Sequence, residues 1–272
     1  MATSDASLQI GDVTLIVHDL PAVAQFYEKI IGLERISADA SEIALGVEGQ
    51  VMVRLRRDAQ AARTSPREAG LFHTAFLLPE RSDLGAFLSH LSKMGQSLEG
   101  ASDHKVSEAL YLSDPEGNGV EIYRDRPRAE WPLKNGEIAM TTDPIDLQDV
   151  ARAAQAEWRG APAGTVIGHV HLRVGALDPA ELFYRDILGL PVTTRYRWAN
   201  FHGWDGYHHH IATNIWHSKG AAPKTSPRTG LAEVGLRGTP EALEALVARA
   251  GANPVDPWGL PFALREKETA PA

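Results

Sequence analysis

Asp114-Pro115-Glu116-Gly117-Asn118-Gly119-Val120-Glu121-Ile122-Tyr123 reads as a tight turn running into a short strand. Pro115, Gly117, Asn118 and Gly119 are turn formers, while Val120, Ile122 and Tyr123 favour a strand. Glu121 stands between Val120 and Ile122, so alternation sends its carboxylate to the opposite face. Upstream, Leu71-Phe72-His73-Thr74-Ala75-Phe76-Leu77-Leu78 is an apolar strand carrying a lone His. A carboxylate and an imidazole on two strands suit a divalent metal of borderline softness. Taken singly, the commoner reading is a solvent-facing Glu and a hydrogen-bonded core His. The surrounding repeat changes that balance.

Residues 71–123 form one strand–helix–strands unit. Ser82 is the expected N-cap of its helix, Leu84, Phe87, Leu88 and Leu91 the buried face, and Gly95 the stop. Strands near residues 109–112 and 120–123 follow. An earlier unit has a strand at 10–17, then Leu20, Val23, Phe26, Tyr27, Ile30 and Ile31 on one helical face. Gly32 lies past that helix end, and strand candidates sit at 41–47 and 50–55. This first unit recurs without a gap: Ile167-Gly168-His169-Val170-His171-Leu172 answers Ile10-Gly11-Asp12-Val13-Thr14-Leu15. Leu182 to Leu190 then answers Gln25 to Leu33. Asp178-Pro179-Ala180-Glu181 supplies the helix start there. Thr64-Ser65-Pro66-Arg67 returns as Thr225-Ser226-Pro227-Arg228, and Thr239-Pro240 opens a fourth helix ending at Gly251. Asp256-Pro257-Trp258-Gly259 echoes the turn at Asp114.

One supersecondary unit used four times predicts an α+β chain: four βαβββ modules in two domains of curved mixed β-sheet, with helices outside. The expected boundaries are an N-terminal domain at 1–126 and a C-terminal domain at 165–272, whose last module is shortened. A Pro-rich, charged connecting segment joins them at 127–164, with a short helix from 147 to 156. Curved sheets leave concave faces for ligands.

The chain has 272 residues, 43% hydrophobic and 23% charged, with net charge −8 and no cysteine. That describes a soluble globular protein and argues against nucleic acid or an anionic membrane as main partner. No apolar run approaches a membrane span, and the N-terminus lacks a signal-peptide pattern, making a cytoplasmic address the expectation. Without Cys, any metal must be held by His, Asp or Glu.

Aligning the modules shows where chemistry is kept. The first strands offer Asp12, His73, His169 and Glu233; the last strands offer Glu121 in module two and Ala263 in module four. Module two alone has His and Glu together, and module three adds a His at the matching position. His73, Glu121 and His169 therefore make a two-His, one-carboxylate set, which with open positions fits non-haem Fe(II) that activates oxygen. Zn(II), or Mn(II), is an alternative. Asp12 is the rival third ligand, and His171 a lesser one. Tyr207-His208-His209-His210 is a second cluster: alternation puts His208 and His210 on one face and His209 on the other. His is the usual proton carrier near neutral pH, though a His tract also binds metal adventitiously.

These residues resemble the vicinal oxygen chelate superfamily of glyoxalase I, bleomycin-resistance proteins and extradiol dioxygenases, most closely its bacterial catechol 2,3-dioxygenase branch. The likeness rests on residues 26–32 and 183–189, Gly70 to Ala75, Val106 to Leu112, Asp114 to Tyr123, and the His tract. It implies an Fe(II)-dependent extradiol dioxygenase acting on a small aromatic diol and O2, in a chain compatible with a homo-oligomer. In the strand His208-His209-His210-Ile211-Ala212 the resemblance makes His209 the acid–base residue, Tyr111 a hydrogen-bond donor to substrate oxygen, and His104 a further active-site His. Better-known members draw ligands from modules three and four; here Glu233 and Ala263 occupy those positions, so module two must partner module three. The alternatives are a glyoxalase-like isomerase or thiol transferase, and a metal-free binding protein of the bleomycin-resistance sort.

Overall fold

The computed structural model describes residues 6–266. Module one is β1 (Leu8–Val17), α1 (Leu20–Phe26), β2 (Glu34–Ala38), β3 (Glu42–Val47) and β4 (Gln50–Arg57). Module two is β5 (Gly70–Leu77), α2 (Arg81–Met94), β6 (Gly100–Asp103), β7 (Ser107–Ser113) and β8 (Gly119–Asp125). The connecting segment holds the hairpin β9 (Leu133–Lys134) and β10 (Glu137–Ile138), then α3 (Leu147–Arg152). Module three is β11 (Val166–Arg173), α4 (Leu177–Glu181), β12 (Val192–Tyr196), β13 (Ala199–His202) and β14 (Ile211–Asn214). Among the described residues module four has β15 (Gly230–Gly238), α5 (Pro240–Ala250) and β16 (Phe262–Glu266).

The repeat extends to local geometry. α1 continues into a π-helical turn at Tyr27–Ile31, and α4 does the same at Leu182–Ile187. In the opening turn, Asp114 Oδ1 accepts from the backbone N–H of Glu116 and Asn118, each at 2.9 Å. Asp256 repeats this with Trp258 and Leu260, each at 2.8 Å. Two caps fall elsewhere than the sequence suggests. Helix α2 starts two residues earlier, with Glu80 and Asp83 satisfying each other's backbone N–H in a capping box, which leaves Ser82 inside the first turn. Ala176, not Asp178, caps α4.

The modules pair in an order that the chain halves do not suggest. One sheet runs β16-β15-β1-β4-β3-β2 and the other β12-β13-β14-β11-β5-β8-β7-β6. Modules one and four share a sheet, as do two and three, so residues 1–126 and 165–272 do not each close a sheet of their own. The first strand of every module offers one free edge, and nothing local in the repeat distinguishes which two edges join. That choice is made by long-range packing. Alternation then divides each first strand. Val13 and Leu15, Phe76, Val170 and Leu172, and Val234 and Leu236 enter one continuous core. Asp12, His73, His169 and Glu233 point to the other, concave faces.

Candidate metal centre and its cavity

In the module two–three sheet, β5 lies between β8 and β11. Ala75 is the register partner of both Glu121 and His169, while His73 pairs with Gly119 and His171. Three adjacent strands thus deliver three side chains to one spot on one face. Gly119 permits this closeness, since a side chain there would start 2.1 Å from the Phe72 carbonyl oxygen.

His73 Nε2 lies 2.9 Å from Glu121 Oε2, His169 Nε2 lies 3.2 Å from that same oxygen, and the two Nε2 atoms are 3.3 Å apart. The three residues are 6%, 2% and 2% exposed. Burial, only partly opposed by Glu121, lowers His169 to about 4, so its imidazole is neutral near pH 7. Burial works to raise the Glu121 carboxyl, but His169 and His73 outweigh it and hold it well below the usual carboxylate range. Among the described residues Glu121 has no Lys or Arg partner, so its buried charge is met by two imidazoles alone. A divalent cation answers that arrangement. All three donors satisfy the mutual spacing that a shared ion requires.

Asp12 lies on the other sheet. There the registers Asp12↔Gly235 and Gly235↔Ala263 reproduce those of His169, Ala75 and Glu121, but Arg265 fills the space. It donates to Asp12 at 2.5 and 3.1 Å and to Glu233 at 2.9 Å, and Arg54 adds a bond to Asp12 at 3.1 Å. A salt-bridge cluster thus stands where the other sheet gathers donors. His171 is turned to Asn214, whose Nδ2 is 3.0 Å from its Nε2.

The donor set lines a cavity of about 600 Å³, walled also by His104, Tyr111, His209, Phe72, Phe201 and Trp216. Tyr111 is the cross-strand partner of Glu121. His104 Nδ1 meets the Thr141 carbonyl at 2.6 Å and its Nε2 meets Tyr111 Oη at 2.6 Å. The Thr141 carbonyl takes the Nδ1 proton and so fixes the ring with Nε2 against the Tyr111 hydroxyl. Burial, reinforced by Glu121, raises Tyr111 well above 10, keeping it a phenol. Thr141 belongs to the connecting segment, which also supplies Met140 and Thr142 to the cavity wall.

Residues 207–210 are not a strand; β14 begins only at Ile211. Simple alternation therefore does not govern the His tract, but hydrogen bonds sort it. His209 enters the cavity, its ring centroid 4.1 Å from that of His169. His208 and His210 pack on Tyr207, with centroids 4.2 and 4.7 Å from its ring. Behind His209 runs a buried chain that sequence reasoning missed. His209 Nδ1 meets His208 Nδ1 at 2.7 Å, and His208 Nε2 meets Asp125 Oδ1 at 2.8 Å. Asp125 Oδ2 also accepts from Tyr207 Oη at 2.8 Å. This chain assigns tautomers: Asp125 takes the His208 Nε2 proton, so His208 Nδ1 accepts from His209 Nδ1–H. The His209 Nε2 lone pair is then left for the cavity. Asp125 lies on β8 beyond Glu121, distant in sequence from the tract, and only the sheet order brings them together.

Two modules to a sheet, with a two-His, one-carboxylate set on a concave face beside a cavity, define a class of fold built to hold small molecules next to a candidate metal site. Comparison with known proteins gives the same class a family. The model of the Glyoxalase/Bleomycin resistance protein/Dioxygenase superfamily matches residues 9–122. A catechol-2,3-dioxygenase of Bacillus subtilis (strain 168) is 38% identical over 237 residues, spanning 85% of this chain and 83% of that protein. A biphenyl-2,3-diol 1,2-dioxygenase 3 of Rhodococcus globerulus is 27% identical over 143 residues, 50% of this chain and 75% of the relative. The chain belongs to the glyoxalase/bleomycin resistance/dioxygenase superfamily. Glyoxalase I from Zea mays shares its fold, with a TM-score of 0.57 at 15% identity, over 95% of this chain and 92% of that one.

Proposed function

We propose that the protein is an Fe(II)-dependent extradiol ring-cleavage dioxygenase acting on a catechol-type diol with O2. The observation that carries this reading is the convergence of His73, Glu121 and His169, with proton-handling groups around one cavity. His73, Glu121 and His169 would hold the metal at the wall of the cavity. Fe(II) held there would supply Lewis-acid binding of a diol and the redox chemistry of O2 activation. Mn(II) or Zn(II) would fit the same donors by type.

The chain's own residues handle the protons. His209 Nε2, with its lone pair toward the cavity, accepts a proton from the diol as it binds and can return it later. The Asp125–His208 chain fixes that tautomer before substrate arrives. Tyr111, holding its proton, steadies a substrate oxygen beside Glu121, while His104 orients the phenol. Phe72, Phe201 and Trp216 pack against an aromatic ring and keep water from its faces. A glyoxalase-like isomerase would leave the His209–His208–Asp125 chain without a task, which favours the dioxygenase reading.

The test is oxygen uptake after anaerobic Fe(II) loading, with catechol and its 3- and 4-methyl derivatives. Stoichiometric uptake with a ring-opened product supports the reading. Absence of uptake with all three, in protein that retains iron, would count against it. Activity with Zn(II) or Ni(II) and none with Fe(II) would point to isomerase or transferase chemistry.

A further inference from the structure

The cavity wall carries a cation that the proposed reaction does not use. Arg173 ends β11, on the same face as His171, and lines the cavity. Its guanidinium is half-buried. Nε donates to the Glu68 carbonyl oxygen at 3.3 Å, and among the described residues no carboxylate is ion-paired with it. The neighbouring Glu68 carboxylate is committed elsewhere, to Arg228 Nη2 at 2.9 Å and the Ser65 N–H at 2.9 Å. Arg54, Arg124 and Arg265, by contrast, each sit on a carboxylate. A second half-buried cation lies alongside. Lys224 Nζ and Arg173 Nη2 are 3.8 and 3.9 Å from the point where a side chain on Gly70 would begin. Lys224 Nζ donates to the Leu231 carbonyl oxygen at 3.0 Å, and Asp256 and Glu68 are near enough to offset part of its charge. Burial lowers the pKa of both groups, opposed only in part by Glu68 at Arg173 and by Asp256 and Glu68 at Lys224.

An aromatic cluster packs against His73, with the Phe72 and His171 ring centroids 5.3 and 4.9 Å from its own. Phe72, His171 and Trp216 have ring centroids 4.9, 5.1 and 5.4 Å apart. We propose that Arg173, backed by Lys224, binds the carboxylate of an acidic substrate whose diol ring occupies the space at His73, Glu121 and His169. The inference rests on the diol reading of that site and narrows its substrate class. Gly70 and His73 are three residues apart on β5, about 10 Å along a strand. The acid group must therefore sit on a short chain away from the ring, as in a dihydroxyphenylpropanoate, rather than on the ring itself.

The experiment compares 3-(2,3-dihydroxyphenyl)propanoate and 3-(3,4-dihydroxyphenyl)propanoate with their methyl esters. Wild type, Arg173→Gln and Arg173→Lys are assayed for oxygen-uptake kcat/KM, and by anaerobic calorimetry for Kd. One acid isomer should be favoured over its ester by roughly ten- to a hundredfold in wild type, the worth of a charge-assisted contact. Arg173→Gln should abolish that preference while leaving the ester and unsubstituted catechol unchanged, and Arg173→Lys should restore part of it. Equal constants for acid and ester in wild type would overturn the proposal, as would equal losses on both in Arg173→Gln. If no diol is turned over, the dioxygenase reading fails. Calorimetry still decides the anion site: Arg173-dependent preference for the acid supports it, and indifference to charge refutes it.

Discussion

Replacing His209 with Ala separates proton handling from metal holding. In the structure His209 touches His169 through ring contact only, and its hydrogen bond runs to His208. Deleting the imidazole removes the cavity-facing Nε2 but no donor atom of the candidate metal set. General acid–base assistance is typically worth 10²–10⁴ in rate, or about 3–5 kcal/mol of barrier. The fold loses less: His208 Nδ1 is left without its partner, a cost of about 1–3 kcal/mol. Turnover of catechol should therefore fall at least a hundredfold, in folded protein with unchanged iron content. Oxygen-uptake kinetics, metal analysis and a thermal melt on the same sample read the three quantities apart. The reasoning is refuted if His209→Ala keeps turnover within a few-fold, or loses iron in step with activity. A greater loss in His210→Ala would mean that the wrong member of the tract had been chosen.

Two further variants probe the scaffold. Asp12→Ala should lower stability by about 3 kcal/mol, because it strands Arg54 and Arg265 beside Glu233, while leaving metal content unchanged; a loss of metal would transfer the ligand role to Asp12. His202, fully buried on β13, is lowered by burial from 6.5 to about 4. Its contribution, about 3 kcal/mol, is complete above pH 6.5 and is lost as pH falls toward 4, since the unfolded chain takes up the proton first. Thermal melts from pH 7 to 4 should show a shallower decline in His202→Gln than in wild type, and parallel curves would contradict the assignment.

Much of the fold is legible in the sequence because the modules repeat their local signals. The turn at Asp114 and its echo at Asp256 use one hydrogen-bonding device, and Phe26 and Phe183 fall at matching places in matching helices. Which modules share a sheet is not legible from local signals, for β1, β5, β11 and β15 offer similar edges; the pairing of modules two and three follows only from the resemblance and the loss of donors in module four. Placing His73, Glu121 and His169 at equivalent strand positions leads to atoms 2.9 to 3.3 Å apart, because strand register carries position across a sheet. Asp125 and Arg173 drew no notice in the sequence. An Asp and an Arg at strand ends are ordinary surface residues until tertiary structure shows what each faces. The shortened fourth module has a counterpart in structure: among the described residues it lacks two strands, and Arg265 with Asp12 occupies the place a donor set would take.

The central claim is that one metal ion is held across the two halves of the chain. Metal analysis of anaerobically purified, Fe(II)-reconstituted protein tests it most directly, with wild type and His169→Ala side by side. The account predicts about one equivalent of iron per chain in wild type and a severe loss in His169→Ala, with both proteins folded by circular dichroism. Wild type that refuses stoichiometric metal, or a His169→Ala protein that binds it as well as wild type, would contradict the account.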